Sequence, residues 1–374
     1  MKDTLLPDEL VNKAREVVEA NRKLGRRIAV AESCTGGLVS AALTEIAGSS
    51  DVFEAGYVTY SNAAKLSQLK VSEEVVETFG AEKACRIVLR FNNDQHCRLR
   101  LAGTENTANA EAMMPTILEK KTPMFAGVGS SIKMHNPMNR YLFNLRAPVQ
   151  TEVASVVAQL AAQGVTDVGV IYTDDGFGKD AYDGARKAFE KHQIKPRAVA
   201  SIPRGQTEVD AAVDAIAKVN PTATLGFCIP KICATIVKKL RAKGAMTQFV
   251  SLSNTSSGAY VTELGSFARG VMVTQVMPYP FDGRDTIGRE FQAFAREAKI
   301  KPSYAAMEGY LSARIMTEAL KRAGHNPTRE SLVGAFESMR LDFGGFKVGF
   351  TPSSRTGSEF VDLTMISRDG KFIR

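Results

Sequence analysis

The chain has 374 residues, with 44% apolar and 24% charged side chains, 30 Gly, 14 Pro and no Trp. This is globular composition with length for two or three domains, and it excludes collagen-like, disordered and disulfide-framework classes. The net charge of +8 is uneven, because residues 1–81 carry nine basic and twelve acidic side chains and the whole excess falls after them.

No apolar run approaches the roughly 18 to 20 residues that span a bilayer, so membrane insertion is not expected. The start, MKDTLLPDELVNKAREVVEANRK, is charged where a signal peptide needs an apolar core, which predicts a cytoplasmic chain as written. Cys34, Cys85, Cys97, Cys228 and Cys233 are odd in number and lack framework spacing, the pattern of free thiols in a reducing compartment. His96, His135, His192 and His325 lie far apart, and Cys228 with Cys233 is a pair without partners, so neither a metal nor a cofactor is expected. Lys and Arg are spread singly along helical patterns such as KKLRAKG and REFQAFAREAK. That reads as solvated helix faces and argues against nucleic acid.

From Pro7 to Leu24, Leu10, Ala14, Val17, Val18 and Leu24 keep helical spacing, with acids early, bases late and Gly25 as a stop. A short strand RIAVA (27–31), a tight loop ESCTGG, a helix GLVSAALTEIAG and a second strand FEAGYVTYS (53–61) follow, with helical spacing resumed from Ala63 to Leu69. Residues 82–100, EKACRIVLRFNNDQHCRLR, fit neither neighbour and read as a junction. Beyond Leu101 the apolar runs LAG, MFAGVG, VGVIYTDD, AVASIP, TLGFCI, FVSLS and GVMVTQV alternate with helical segments at 149–163, 178–192, 207–219 and 231–243. That alternation predicts an α/β fold of parallel sheets covered on both faces. Three helical segments over 284–339 and a terminal hairpin FVDLTMIS/KFIR, turning at Asp369-Gly370, complete the chain. The extended stretch NLRAPVQ (144–150) is the expected crossover between two lobes.

The turn Ser33-Cys34-Thr35-Gly36-Gly37 joins a strand to a helix, so its amides and the positive helix end suit a phosphate or a developing oxyanion. Helix capping by Ser33 or Thr35 is the plainer alternative. The string AESCTGG, then IAGSS, then G-x-VTYSN-x-x-K over residues 7–81 resembles the N-terminal half of the CinA C-terminal family, which deamidates nicotinamide mononucleotide. The resemblance implies Ser33 as nucleophile, Tyr60 and Lys65 as polar partners that activate it or hold the nucleotide, and Thr35, Gly36 and Gly37 as the anion site. The family's second half has no counterpart after VETFGA (76–81), which predicts a truncated, inactive amidase-like segment.

In open parallel sheets ligands sit beyond the carboxyl ends of strands. The loops expected there are 103–107, 127–131, 172–175, 227–228 and 253–255, most of them small and hydroxylic, and an acid across the cleft would receive an ammonium. Ordinary capping by Ser, Thr and Asn stays open for each loop singly. No nucleophile, base and orienter come together, so binding without chemistry is favoured.

From residue 101 to 374 the segments LAGTENTANAEAMMPTILEKKTPMFAGVGSS, NRYLFNLRA, VGVIYTDDGFGKDAYDGARKAF, LRAKGAMTQFVSLSN, EGYLSARIMTEALKRAG and NPTRESLVGAFESM resemble the type I periplasmic solute-binding proteins of ABC transporters, in the leucine/isoleucine/valine-binding group. The resemblance implies a two-lobed fold that closes on a small amino-acid-like solute, a periplasmic location, and ABC transporter membrane subunits as partners. It places Thr104, Glu105, Asn106, Thr107, Gly129, Ser130 and Ser131 on the ligand from one lobe, and Tyr172, Phe227, Cys228, Ser253 and Asn254 from the other. The first lobe is expected over 101–147 and 277–325, the second over 148–276 and 326–350, with the hairpin at 358–374. The family's signal and opening strand-loop-helix region have no counterpart here, so the solute-binding part is expected to be incomplete at its N-terminus.

Two partial matches that meet at 82–100 make a chimera, whether by gene fusion, a shifted reading frame or sequence assembly. The unit 27–60 would fill the vacant place in the first lobe's sheet if residues 27–31 paired with a strand after 101.

Overall fold

The computed structural model describes residues 6, 8–32, 37–58, 90–91, 114–115, 117–119, 121–125, 131–325 and 327–374. The chain divides into two compact units, Met1–Arg100 and Leu101–Arg374.

In the first unit, helix α1 (Asp8–Lys23) opens on Asp8 and Glu9 and closes on Arg22 and Lys23, charges that oppose the helix dipole at each end. Val11, Ala14 and Val18 form its buried stripe, whereas Leu10, Val17 and Leu24 are exposed. The expected stripe is therefore corrected: the 3-then-4 spacing of Val11, Ala14 and Val18 keeps one face, and Leu10 and Val17 fall beside it. That face packs with Ile28 and Val30 of β1 (Ile28–Glu32), Ala42 and Leu43 of α2 (Leu38–Thr44), and Ile46 and Val52. β1 pairs in parallel with β2 (Phe53–Val58) and antiparallel with β3 (Arg90–Phe91). One edge of β1 thus pairs with β2 along its length and the other with β3 at Ile28 and Ala29, and among the described residues no pairing of 27–31 with a strand after 101 is seen.

The second unit holds a seven-stranded sheet of β6 (Val168–Asp174), β7 (Ala198–Pro203), β8 (Ala223–Phe227), β9 (Gln248–Ser251), β10 (Met272–Gln275), β13 (Asp362–Ile366) and β14 (Phe372–Ile373), in the order β14-β13-β10-β9-β8-β6-β7. Strands β6 to β10 run parallel, and the terminal hairpin adds β13 antiparallel to β10 and β14 antiparallel to β13. Alternation along β6 sends Val168 and Val170 to one face, against Val153, Val156 and Val157 of α3 (Val149–Ala162) and Ala181, Ala185 and Phe189 of α4 (Gly176–Lys191). A side chain at Gly169 would point to the other face, where Ile216 of α5 (Asp210–Val219) lies 2.8 Å from the place of its Cβ. Apolar burial on both faces, at about 25 cal/mol per Å², holds these layers together.

Strands β4 (Met124–Phe125) and β5 (Leu142–Phe143) pair in parallel and carry a separate aromatic core. Phe336 of α10 (Arg329–Glu337) stacks on Phe143 at 4.5 Å and lies 5.1 Å from Phe125, while Phe350 meets Phe143 edge-on at 5.3 Å. Phe336 and Phe350, in the segment expected with the second lobe, thus lie against β4 and β5. Arg355, 2% exposed, caps the same core. Its guanidinium sits 4.7 Å over the Phe143 ring, pairs with Glu337 at 2.5 Å and donates to the Arg140 carbonyl at 2.9 Å. Taking an arginine out of water costs several kcal/mol, and these partners offset that cost.

The chain crosses between the two cores at 144–150, from β5 into α3, and Asn144 is tied there to the returning segment 355–357. Asn144 N–H donates to the Arg355 carbonyl at 2.8 Å, and its own carbonyl accepts from Gly357 N–H at 2.7 Å. A Cβ at Gly357 would stand 2.7 Å from the Phe350 ring and 3.0 Å from the Asn144 oxygen, so only glycine permits this approach. His135 Nδ1 lies 2.6 Å from the Thr356 hydroxyl beside it, and burial lowers the imidazole from its usual 6.5 to about 4.

Between those two values the unfolded chain binds the His135 proton and the folded chain does not, so stability falls as pH drops from 6.5 towards 4. The expected loss is about 2 to 3 kcal/mol across that window. Urea unfolding at several pH values checks it: His135→Gln should be flatter than wild type over the same range, and parallel curves would exclude the effect.

Candidate functional site

Parallel pairing brings the carboxyl ends of four strands into line. Tyr172 lies opposite Phe227, Gly226 opposite Ser251, and Ser251 opposite Val273. The loops that leave those ends share one edge of the sheet, and side-chain bonds tie them to one another and to the neighbouring strand ends. Thr173 Oγ1 donates to the Phe227 carbonyl at 3.4 Å, Asn254 Nδ2 to the Cys228 carbonyl at 3.0 Å, and Ser256 Oγ to the Thr274 carbonyl at 3.3 Å.

Each loop has a local reason for its shape. After β6, Asp175 caps α4 by accepting from Gly178 N–H at 2.8 Å. A Cβ at Gly178 would fall 2.0 Å from the Thr173 carbonyl oxygen, so the chain turns into the helix only with glycine there. After β8, Pro230 starts α6 (Pro230–Ala242) at a position where its missing N–H costs nothing. After β9, the short 3₁₀ turn Ser253–Thr255 leads to α7 (Gly258–Leu264), capped by Ser257.

The expected ligand residues differ in what they present. Tyr172 is partly buried and stacks on Tyr182 at 4.7 Å with the rings 9° apart. Asn254 is exposed apart from its bond to Cys228. Phe227 is 1% exposed, so its ring belongs to the core and only its backbone faces the edge. Ser253 is 9% exposed, and both of its donors are spent on Glu152, N–H at 2.5 Å and Oγ at 3.0 Å. Ser131 is buried and accepts from Lys133 N–H at 3.3 Å as the cap of the 3₁₀ turn Ile132–Met134. That turn is tied to α4, for Ile132 N–H donates to Asp180 at 2.6 Å, and Gln150 donates to the other Asp180 oxygen at 2.6 Å. The acids at this edge are engaged as well: Asp174 pairs with Lys179 at 2.7 Å, which raises the lysine above its usual range, and Asp175 is the helix cap.

Cys228 corrects the free-thiol expectation. It is joined to Cys233 in a disulfide that spans the turn from β8 into α6. Five residues of separation bring the strand end and the first helical turn within reach, a closeness that sequence spacing alone leaves open.

Thr104, Glu105, Asn106, Thr107, Gly129 and Ser130 lie outside the described residues, as do Ser33, Thr35, Gly36, Tyr60 and Lys65. Of the expected anion-binding turn, Gly37 is described; its φ of 100° is open to glycine at little cost.

Sequence reading missed Glu152, Thr274, Arg146 and Glu308. Glu152 is 1% exposed on α3, and besides Ser253 it accepts from the Thr274 hydroxyl. Burial raises its carboxyl above the usual range, against the opposing pull of those donors and of Arg146. Arg146 in turn holds Glu308 of α9 (Tyr304–Ala323), the helix that follows α8 (Thr286–Glu297), with two bonds of 2.7 and 2.6 Å. A signal existed: Glu152 falls on the valine stripe Val149, Val153 and Val156, where a carboxylate is out of place.

Comparison with known proteins agrees with this layout. A family model described as "Periplasmic binding protein" matches residues 100–371, and one described as "CinA C-terminal domain" matches residues 11–87. A substrate-binding periplasmic protein from Ralstonia solanacearum superposes with a TM-score of 0.65 at 25% identity, covering 98% of this chain and 94% of its own. A branched-chain amino acid ABC transporter protein from Thermus thermophilus with bound valine superposes at 0.64 with 19% identity, covering 86% and 84%. The nicotinamide-nucleotide amidohydrolase PncC of Enterobacter agglomerans is 53% identical over 66 residues, 18% of this chain and 40% of that protein. The chain spans less than half the length of the curated relatives it matches.

The disulfide has a direct test. Peptide mapping without reductant should recover Cys228 joined to Cys233, and the double change to serine should cost about 2 kcal/mol of stability, the closure entropy of so short a loop. Separate, freely alkylated peptides would refute it.

Proposed function

We propose a function from one premise: this chain belongs to the periplasmic binding protein family. The second unit binds a small amino-acid-like solute, of the branched-chain or a related class, at the carboxyl edge of its parallel sheet, and passes it on without chemical change. The observation that carries this reading is the alignment of the carboxyl ends of β6, β8, β9 and β10 along one edge, tied by the Thr173–Phe227, Asn254–Cys228 and Ser256–Thr274 bonds, where Tyr172 offers an aromatic face and hydroxyl and Asn254 an amide. Phe227, Cys228 and Ser253 shape that edge through their backbone. Thr104 to Thr107 and Gly129 to Ser131 supply the opposite lobe's contacts to the carboxylate and ammonium.

The membrane subunits of an ABC transporter are the partners this role requires. A buried disulfide accords with work outside the reducing cytoplasm, and among the described residues no helix is long and apolar enough to cross a membrane.

Titration calorimetry against a panel of amino acids that includes leucine, isoleucine and valine is expected to give at least one dissociation constant of about a micromolar or tighter. Tyr172→Ala and Asn254→Ala should each weaken it by about tenfold. No heat with any member would overturn the reading.

The 53% identity to the amidohydrolase supports a second reading for the first unit, release of ammonia from nicotinamide mononucleotide with Ser33 as nucleophile. Ammonia formed by the wild type and lost in Ser33→Ala would establish it, and none formed by the folded chain would leave binding alone.

A further inference from the structure

A carboxylate on a helix face built of valines cannot be satisfied by water, and burying it unpaired would cost several kcal/mol. Glu152 is in that position at 1% exposure, and its bonds reach across the sheet edge. One oxygen accepts the Ser253 N–H at 2.5 Å and the Thr274 hydroxyl, and the other accepts the Ser253 hydroxyl at 3.0 Å. The donors come from two neighbouring strands, Ser253 from the turn after β9 and Thr274 from β10. Two further bonds close the tie, from Ser256 Oγ to the Thr274 carbonyl at 3.3 Å and from Thr255 Oγ1 to Ser251 Oγ at 3.0 Å. The positive charge that offsets Glu152 is Arg146, in the crossover stretch, itself held bidentately by Glu308 of α9.

We propose that Glu152 is a positioning residue, whose buried carboxylate holds the Ser253–Ser257 turn in place so that Asn254 stands at the solute edge. The consequence for the site rests on the solute-binding reading above; the hold on the turn does not. Ser253 then serves the turn rather than the ligand, since its N–H and hydroxyl hydrogens are both directed at Glu152. Of that turn, Asn254 is left with its side chain towards solvent, anchored by one bond to the Cys228 carbonyl. Glu308 holds Arg146, the Arg146 charge favours the ionised form of Glu152, and Glu152 holds the turn through the neutral donors of Ser253 and Thr274.

Amide hydrogen exchange on the full chain tests this with Glu152→Gln and Glu152→Leu, which are close in volume and differ in whether an acceptor oxygen remains. Protection at Ser253 and Thr255 is expected to fall by about a hundredfold in Glu152→Leu and by about tenfold in Glu152→Gln. Val170 and Leu225, in the strands β6 and β8, should keep wild-type protection in both. The dissociation constant for L-valine, used as the probe, should rise in the same order. Equal protection in the two variants would show a packing role and overturn the proposal, as would a loosened turn that leaves L-valine affinity unchanged. If Glu152→Leu does not fold, Glu152→Gln decides alone, and wild-type protection at Ser253 would overturn the proposal. A wild-type chain that ignores L-valine and every other member of the amino-acid panel while the graded loss appears sinks the solute reading and supports the hold on the turn.

Discussion

Every strand of a parallel sheet ends on the same edge, and that constraint governs what this molecule can do. Strands β6, β8, β9 and β10 deliver their following loops side by side, within one hydrogen-bond ladder of each other. A polar group placed in any of those loops therefore meets polar groups from the others without a long connection. The apolar packing of α3 and α4 on one face and α5 on the other keeps the edge rigid, because neither face is left to water.

Three largely buried charged groups, in the aromatic core, at the sheet edge and in the crossover, have named partners. Arg355 caps the aromatic core of the first lobe and finds Glu337, the Arg140 carbonyl and the Phe143 ring. Glu152 finds Ser253 and Thr274, and Arg146 finds Glu308. Such groups contribute little net stability compared with apolar residues of the same size, but an alternative packing would leave them unpaired. They specify one arrangement of crossover and turns. At the crossover, backbone bonds also tie Asn144 to Arg355 and to Gly357.

Much of the layout was readable from the chain. Helices at 149–162, 176–191, 210–219 and 230–242 lie within three residues of their expected bounds, because long amphipathic periods with clear caps declare themselves. Strands of two or three residues, such as β3, β5, β11 (Arg340–Asp342) and β12 (Lys347–Gly349), carry no period and went unseen. The terminal hairpin was foreseen, but not its place beside β10. Of the site, the strand-end loops were found from their position after apolar runs, while the buried acid that holds one of them was not.

What the sequence determined by itself was therefore the α/β grammar, the two partial resemblances and the loops that follow the strands, all of them local in the chain. Tertiary structure decided the rest: that Cys228 and Cys233 are bonded, that Phe336 belongs with Phe143, and that the Ser253 hydroxyl and N–H turn inward to an acid 101 residues earlier. The physical reason is common to these cases. Residue type states what a side chain can donate, accept or bury, but the partner that satisfies it is chosen by which elements the core brings together.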